Sequence, residues 1–407
     1  MTAVDSGGPA DHDFGDLVVM PGLVDSHVHV NEPGREQWEG FATATRAAAA
    51  GGTTTIVDMP LNSVPPTVTV AALEQKREAA SGRLRVDVAF WGGLVPGSFE
   101  EVGPLVGAGV CGLKSFLVDS GVPEFPPVPD DLLMQGLVQM TELGVPALIH
   151  AEDPDYLMEP DGDPRRYATY LGSRPVESEV RAIQKIARLS DDLGTRAHIL
   201  HVSSGDGAEA IAASGGQLTG ETCPHYLIFA AGEIPDGATT FKCAPPIRSG
   251  EHRQALWDAL SAGSLAMIVS DHSPAPPELK SSDRGDFIEA WGGISSLQLR
   301  LPAVWDGASS RGIGLPALAE WLSAAPARLA GLDDRKGAIR VGHDADFVVW
   351  DPDGVTAVVG ASLEHRHHLT PYEGRALRGQ VVATFLGGRE VFSDGKVSGL
   401  HGRMLRR

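Results

Sequence analysis

The sequence predicts an α/β protein: a (β/α)8 TIM-like barrel with a small, incomplete β-sandwich domain drawn from the chain termini. Three observations carry this. The chain has 407 residues, room for one large barrel and a minor lobe. Short apolar runs rich in Val, Ile, Ala and Thr recur at regular spacing, each followed by a Gly/Pro-rich loop. From about Ile339 that rhythm gives way to the alternation of half-buried strands.

Leu17–Met20 reads as a strand of the small lobe. Eight apolar runs follow: Leu23–His29, Thr53–Asp58, Val86–Trp91, Val110–Phe116, Ala147–His150, His198–Val202, Thr219–Cys223 and Leu265–Asp271. Between His27 and Asp271 they lie about 35 residues apart, the length of one strand, one helix and two loops. Runs apolar on both sides of the pleat suit parallel strands covered on both faces. Trp38–Ala50 reads as a helix closed by Gly51-Gly52. No GxGxxG opens the first unit, which disfavours an open doubly wound sheet. Further on, Asp346–Trp350 alternates, and Thr384–Leu386 and Arg389–Phe392 flank Gly387-Gly388, a two-residue hairpin signal. The expected division is 1–20 for the N-terminal segment and part of the sandwich, 21–335 for the barrel, and 336–407 for the rest of the sandwich.

The net charge of −20 argues against nucleic acid and anionic membranes as partners. Cys111, Cys223 and Cys243 are too few and scattered for a disulfide framework, so a reducing compartment is expected. With neither a signal peptide nor a spanning apolar run, the expectation is a cytoplasmic protein.

The strongest chemical signal is His27-Val28-His29. Two residues apart on a strand, both imidazoles point to one face, here at the C-terminal mouth where barrel enzymes build their sites. Alone, such a pair is weak. It gains weight because Lys114, His150, His201 and Asp271 also fall at or near the ends of apolar runs. Four imidazoles and a carboxylate suit zinc or a similar divalent ion. They are too many for one open catalytic ion and suit two, about 3.5–4 Å apart. A buried neutral lysine among them could react with CO2 to give a bridging carbamate; the alternative for Lys114 is a cationic substrate clamp. His198, three residues from His201, is expected on the opposite face of its strand, and His272 turned away from Asp271. His365, His367 and His368 read as a solvated loop. Cys223 and Cys243 have no sequence partner that would make either a nucleophile.

Pro21-Gly22-Leu23-Val24-Asp25-Ser26-His27-Val28-His29 resembles the opening of the amidohydrolase superfamily, in its cyclic-amide branch of dihydroorotases, hydantoinases and allantoinases. Gly112-Leu113-Lys114, His150-Ala151-Glu152, His201-Val202-Ser203, the segment Glu221–Leu227 and Ser270–Pro274 resemble its later motifs, in order. Three segments are similar to allantoinases in particular: Asn31–Arg35 leading into Trp38–Phe41, Asp58–Pro66, and Ala290–Ile294. Dihydroorotases usually carry Arg where Asn31 stands, to hold a carboxylate that allantoin lacks.

The resemblance implies two divalent ions, zinc with cobalt or manganese as alternatives. His27, His29 and Asp271 would hold one, His150 and His201 the other, and carbamylated Lys114 would bridge them. A hydroxide between the ions would open the hydantoin ring of allantoin to give allantoate, a step of purine breakdown, with Asp271 as base and then acid. Asn62, Ser273, Ala244 and Gly292 are the expected substrate contacts. Asp58 and His225 are expected behind them, as hydrogen-bonding support. The resemblance also implies a homo-oligomer, commonly a tetramer. The alternatives are a hydantoinase/dihydropyrimidinase, a dihydroorotase, or a non-catalytic amidohydrolase-like scaffold. The sequence departs from the pattern in the short stretch before His27, which puts the completeness of the sandwich in doubt.

Overall fold

The doubly apolar runs become the staves of a barrel. The computed structural model describes Met1 and residues 12–407. Its first strands are β1 (Val18–Pro21), β2 (Leu23–Val28), β3 (Thr53–Asp58), β4 (Asp87–Phe90), β5 (Gly92–Gly93) and β6 (Leu113–Phe116). They are followed by β7 (Ala147–His150), β8 (Ala197–Ile199), β9 (Leu218–Thr222) and β10 (Met267–Ile268). From β2 to β10 every neighbour is parallel, in sheets β2-β3-β4 and β5-β6-β7-β8-β9-β10. β4 and β5 are one stave interrupted at Trp91, whose N–H donates to the Asp58 carbonyl at 2.9 Å while Gly92 N–H turns to Gly112. The ring closes where His272 bridges Val28 and accepts from His29 N–H at 2.8 Å.

Several expected elements are shorter than the pattern suggested. β8 stops at Ile199 and β10 at Ile268, although the apolar runs continue to Val202 and Asp271. The backbone turns left-handed at His201 (φ 39°) and Asp271 (φ 43°), which ends the ladders. The first helix begins at Phe41 rather than Trp38. Gly40 is extended there, and Glu32 caps the start by accepting from Phe41 N–H at 2.9 Å. Gly52 (φ 81°) follows the helix, and a Cβ on it would lie 2.6 Å from Val348.

The C-terminal lobe contains β11 (Phe347–Ala357), β12 (Ala376–Leu386), β13 (Arg389–Ser393) and β14 (Lys396–Val397). β1 joins it antiparallel to β11, giving the order β1-β11-β12-β13-β14. Gly387 and Gly388 both have positive φ, as the tight turn between β12 and β13 requires. Among the described residues this lobe is a single sheet. Residues 2–11 of the expected N-terminal segment lie outside the described residues.

Lys336 ties lobe to barrel. Its buried Nζ donates to Asp87 on β4 at 2.7 Å and to Asp346, beside β11, at 2.5 Å, with Asp344 at 3.0 Å. The last residues run beneath the barrel, where Leu405 N–H donates to Val88 at 2.8 Å. No helix among the described residues is long and apolar enough to cross a membrane.

Candidate active site

The barrel mouth collects the six groups that the strand-end argument singled out. His27 lies in β2 and His29 just beyond it, Lys114 in β6, and His150 at the end of β7. His201 and Asp271 follow β8 and β10, swung inward by their left-handed backbone. His27 Nε2 is 3.2 Å from Asp271 Oδ1 and 3.4 Å from Lys114 Nζ. His29 Nε2 is 3.7 Å from the same carboxylate oxygen. On the other side His150 Nδ1 faces His201 Nε2 at 2.9 Å, and the His27 and His201 rings lie 5.4 Å apart. All six side chains are buried.

The outer nitrogens decide which inner ones are free. His29 Nδ1 lies 2.7 Å from the Leu61 carbonyl, which can only accept, so Nδ1 carries the proton and Nε2 offers its lone pair. Glu221 does the same for His27, with Oε1 2.5 Å from Nδ1, and Glu152 for His150, with Oε2 2.7 Å from Nε2. Glu221 is braced in turn by His198, whose Nε2 lies 3.2 Å from its second oxygen. Burial, reinforced by the Lys114 charge, pushes the His27 and His29 imidazoles well below their usual pKa. Burial and His150 do so for His201, and burial also lowers His150. They are therefore neutral, the form that ligates cations. Burial also lowers the pKa of Lys114 and raises that of Asp271, although each opposes the other's shift. Inward-facing lone pairs, a carboxylate and a lysine driven towards its neutral form together fit divalent cations. His27, His29 and Asp271 also bring their ligand atoms within 4.8 Å of one another.

A cavity at the barrel mouth adjoins this cluster. Asn62, Ser273, Ala244 and Gly292 all line it. Asn62 Nδ2 donates to Asn31 Oδ1 at 3.0 Å, which leaves Asn62 Oδ1 as an acceptor for the cavity. Asp58 and His225 do not line it. Asp58 accepts from Val30 N–H at 2.9 Å and from buried Lys76 at 2.6 Å, behind the His29 segment. His225 is buried with neither ring nitrogen hydrogen-bonded, its ring close to Cys223 and Asp271. His272 turns away, 3.3 Å from Glu39.

His365 overturns the expectation of a solvated loop. It is 2% exposed, with its ring 5.5 Å from that of His272. The connection carrying it lies across the barrel, where Thr370 Oγ1 donates to the Ser295 carbonyl at 2.9 Å. Sequence reasoning also missed Arg174, which lines the cavity and grips Glu152 through two hydrogen bonds of 3.0 and 2.7 Å.

Residues 18–391 match the profile described as the Amidohydrolase family. The chain belongs to the amidohydrolase family. Amidohydrolases are metal-dependent hydrolases, in keeping with the donor set above. An allantoinase of Streptomyces avermitilis is 48% identical, over 97% of this chain and 89% of that one. An allantoinase of Arabidopsis thaliana is 45% identical, over 94% and 79%. Among solved structures, the L-hydantoinase (dihydropyrimidinase) of Arthrobacter aurescens superposes with a TM-score of 0.90 at 32% identity, covering 96% of this chain and 89% of that one.

For this amidohydrolase, Glu221→Gln should weaken metal affinity by about 10–100-fold, since the charge that fixes the His27 tautomer is lost. Titrating the metal-loaded variant with a chelator, beside the parent, checks this.

Proposed function

We propose that the protein opens the hydantoin ring of allantoin by hydrolysis, giving allantoate. The observation that carries this is the convergence of His27, His29, Lys114, His150, His201 and Asp271 beside a cavity whose described lining, Lys114 of the cluster apart, offers no free cation for a substrate carboxylate. Arg174 is committed to Glu152. Asn31, which stands where dihydroorotases carry Arg, is neutral. Both features favour an uncharged ring over dihydroorotate, and the allantoinase relatives point the same way.

In this reading His27, His29 and Asp271 hold one divalent ion, zinc by donor preference, and His150 and His201 the other. Lys114 joins them as a carbamate. When bound, such ions polarise a carbonyl and ease the ionisation of water. Asp271 is placed to take the proton from the attacking water and return it to the ring nitrogen as the carbon–nitrogen bond breaks. The Asn62 Oδ1 accepts from a substrate N–H, and the Ala244 and Gly292 peptides meet the ring amide. The protein works as a homo-oligomer in the cytoplasm.

The test measures ring opening of allantoin, hydantoin, dihydropyrimidine and dihydroorotate side by side, with Zn2+, Co2+ or Mn2+ added separately in bicarbonate. Allantoin should be the preferred substrate; its failure to turn over under every metal would overturn the assignment.

A further inference from the structure

One cavity wall is a loop whose peptides are held from beneath by lysines. Trp291, Gly292 and Gly293 form that wall. Lys280 Nζ donates to three carbonyls: Gly293 at 2.7 Å, Trp291 at 2.9 Å and Lys242 at 3.3 Å. Lys242 Nζ in turn donates to the Ile288 carbonyl at 2.9 Å. Lys280 is 4% exposed, and among the described residues it has no carboxylate at ion-pair distance. A buried ammonium without a counter-ion is costly, and three carbonyls match its three N–H groups.

The clamp has a geometric result. The carbonyls on either side of Gly292 are turned down onto Lys280, and Gly293 N–H donates to the Lys242 carbonyl at 2.8 Å. Gly292 is thereby set against Ala244, close enough that a Cβ on it would lie 3.8 Å from Ala244 N. Gly293 has φ 157°, and a Cβ there would come 2.2 Å from the Ser273 carbonyl, so the wall is pinned at its second residue as well.

We propose that Lys280 is a positioning residue for substrate: its ammonium fixes the Gly292 peptide, beside Ala244, in the orientation that receives a cyclic amide. This rests on the reading that Gly292 meets the substrate. Lys280 lies outside the metal-ligand cluster, so its effect belongs to binding. Burial, helped by the Lys242 charge and opposed by the Cys243 thiol, brings its pKa down to about 7. Among the described residues, those are the titratable groups that act on it. The clamp therefore loses its charge as pH rises past neutrality.

The test compares the metal-loaded parent with Lys280→Met on whichever cyclic amides the parent opens. KM should rise by about 10–100-fold, with kcat at saturation and bound metal nearly unchanged. The parent KM should also climb between roughly pH 6 and pH 9, while the variant KM stays flat at its raised value. A folded, metal-replete variant with the parent KM, or with a lowered kcat at the parent KM, overturns the proposal. Should the variant not fold, a parent KM that stays flat across that range does so alone. Parent turnover of hydantoin without allantoin would sink the allantoin assignment while leaving the KM comparison to judge Lys280.

Discussion

If the site holds two metals as proposed, Lys114→Met should strip it of at least one of them and lower kcat by about 1,000-fold. The loss of an ion that polarises the carbonyl removes several kcal/mol of barrier lowering, and each 1.36 kcal/mol is about tenfold in rate. Lys114 sits 3.4 Å from His27 Nε2, in the middle of the donor cluster. As an ammonium it would repel the cations that the imidazoles are set to bind. As a carbamate, in the proposed reading, it would supply the anion that two adjacent cations need between them. Methionine has similar bulk and neither charge, so the barrel should stay folded while the centre empties. Elemental analysis of the purified variant, with an activity assay, checks both halves. A variant that keeps two ions and full turnover would remove Lys114 from the centre.

Lys336→Met should destabilise the protein by about 3–5 kcal/mol, as expected when one partner of a buried ion network is lost. Asp87, Asp344 and Asp346 would then face one another without the cation they share. Burial works against the Lys336 charge, but Asp346 and Asp87 outweigh it and hold its pKa above the usual 10.5. A pKa raised by folding gives stabilisation that is complete below the unfolded value and fades as pH climbs through the folded one. The parent should therefore lose stability above about pH 10.5, and the variant should lack that alkaline step. Urea unfolding midpoints at neutral and alkaline pH measure both effects.

Much of the barrel was legible because burial on both faces writes itself as unbroken apolar runs. Thr53–Asp58 and Ala147–His150 coincide with β3 and β7. β5 was invisible, since Gly92-Gly93 has no side chains to carry a pattern. The overlong ends after Ile199 and Ile268 have a physical cause: side-chain polarity does not reveal that the backbone turns left-handed at His201 and Asp271. The inner groups could be named from strand-end position. Their supports could not, because the pairing of Glu221 with His27 spans 194 residues. Glu221 did leave a trace, a carboxylate inside an apolar run. Arg174 left none, and His365 misled because three histidines in four residues look hydrophilic until the barrel covers one of them.

The stave that completes the circle meets the first one at His272, one residue past Asp271. Circularisation and the arrival of the acid are thus a single event. A chain still emerging from the ribosome holds five of the six groups and lacks the sixth until its barrel can shut. The complete set of six groups therefore comes together only as the barrel closes.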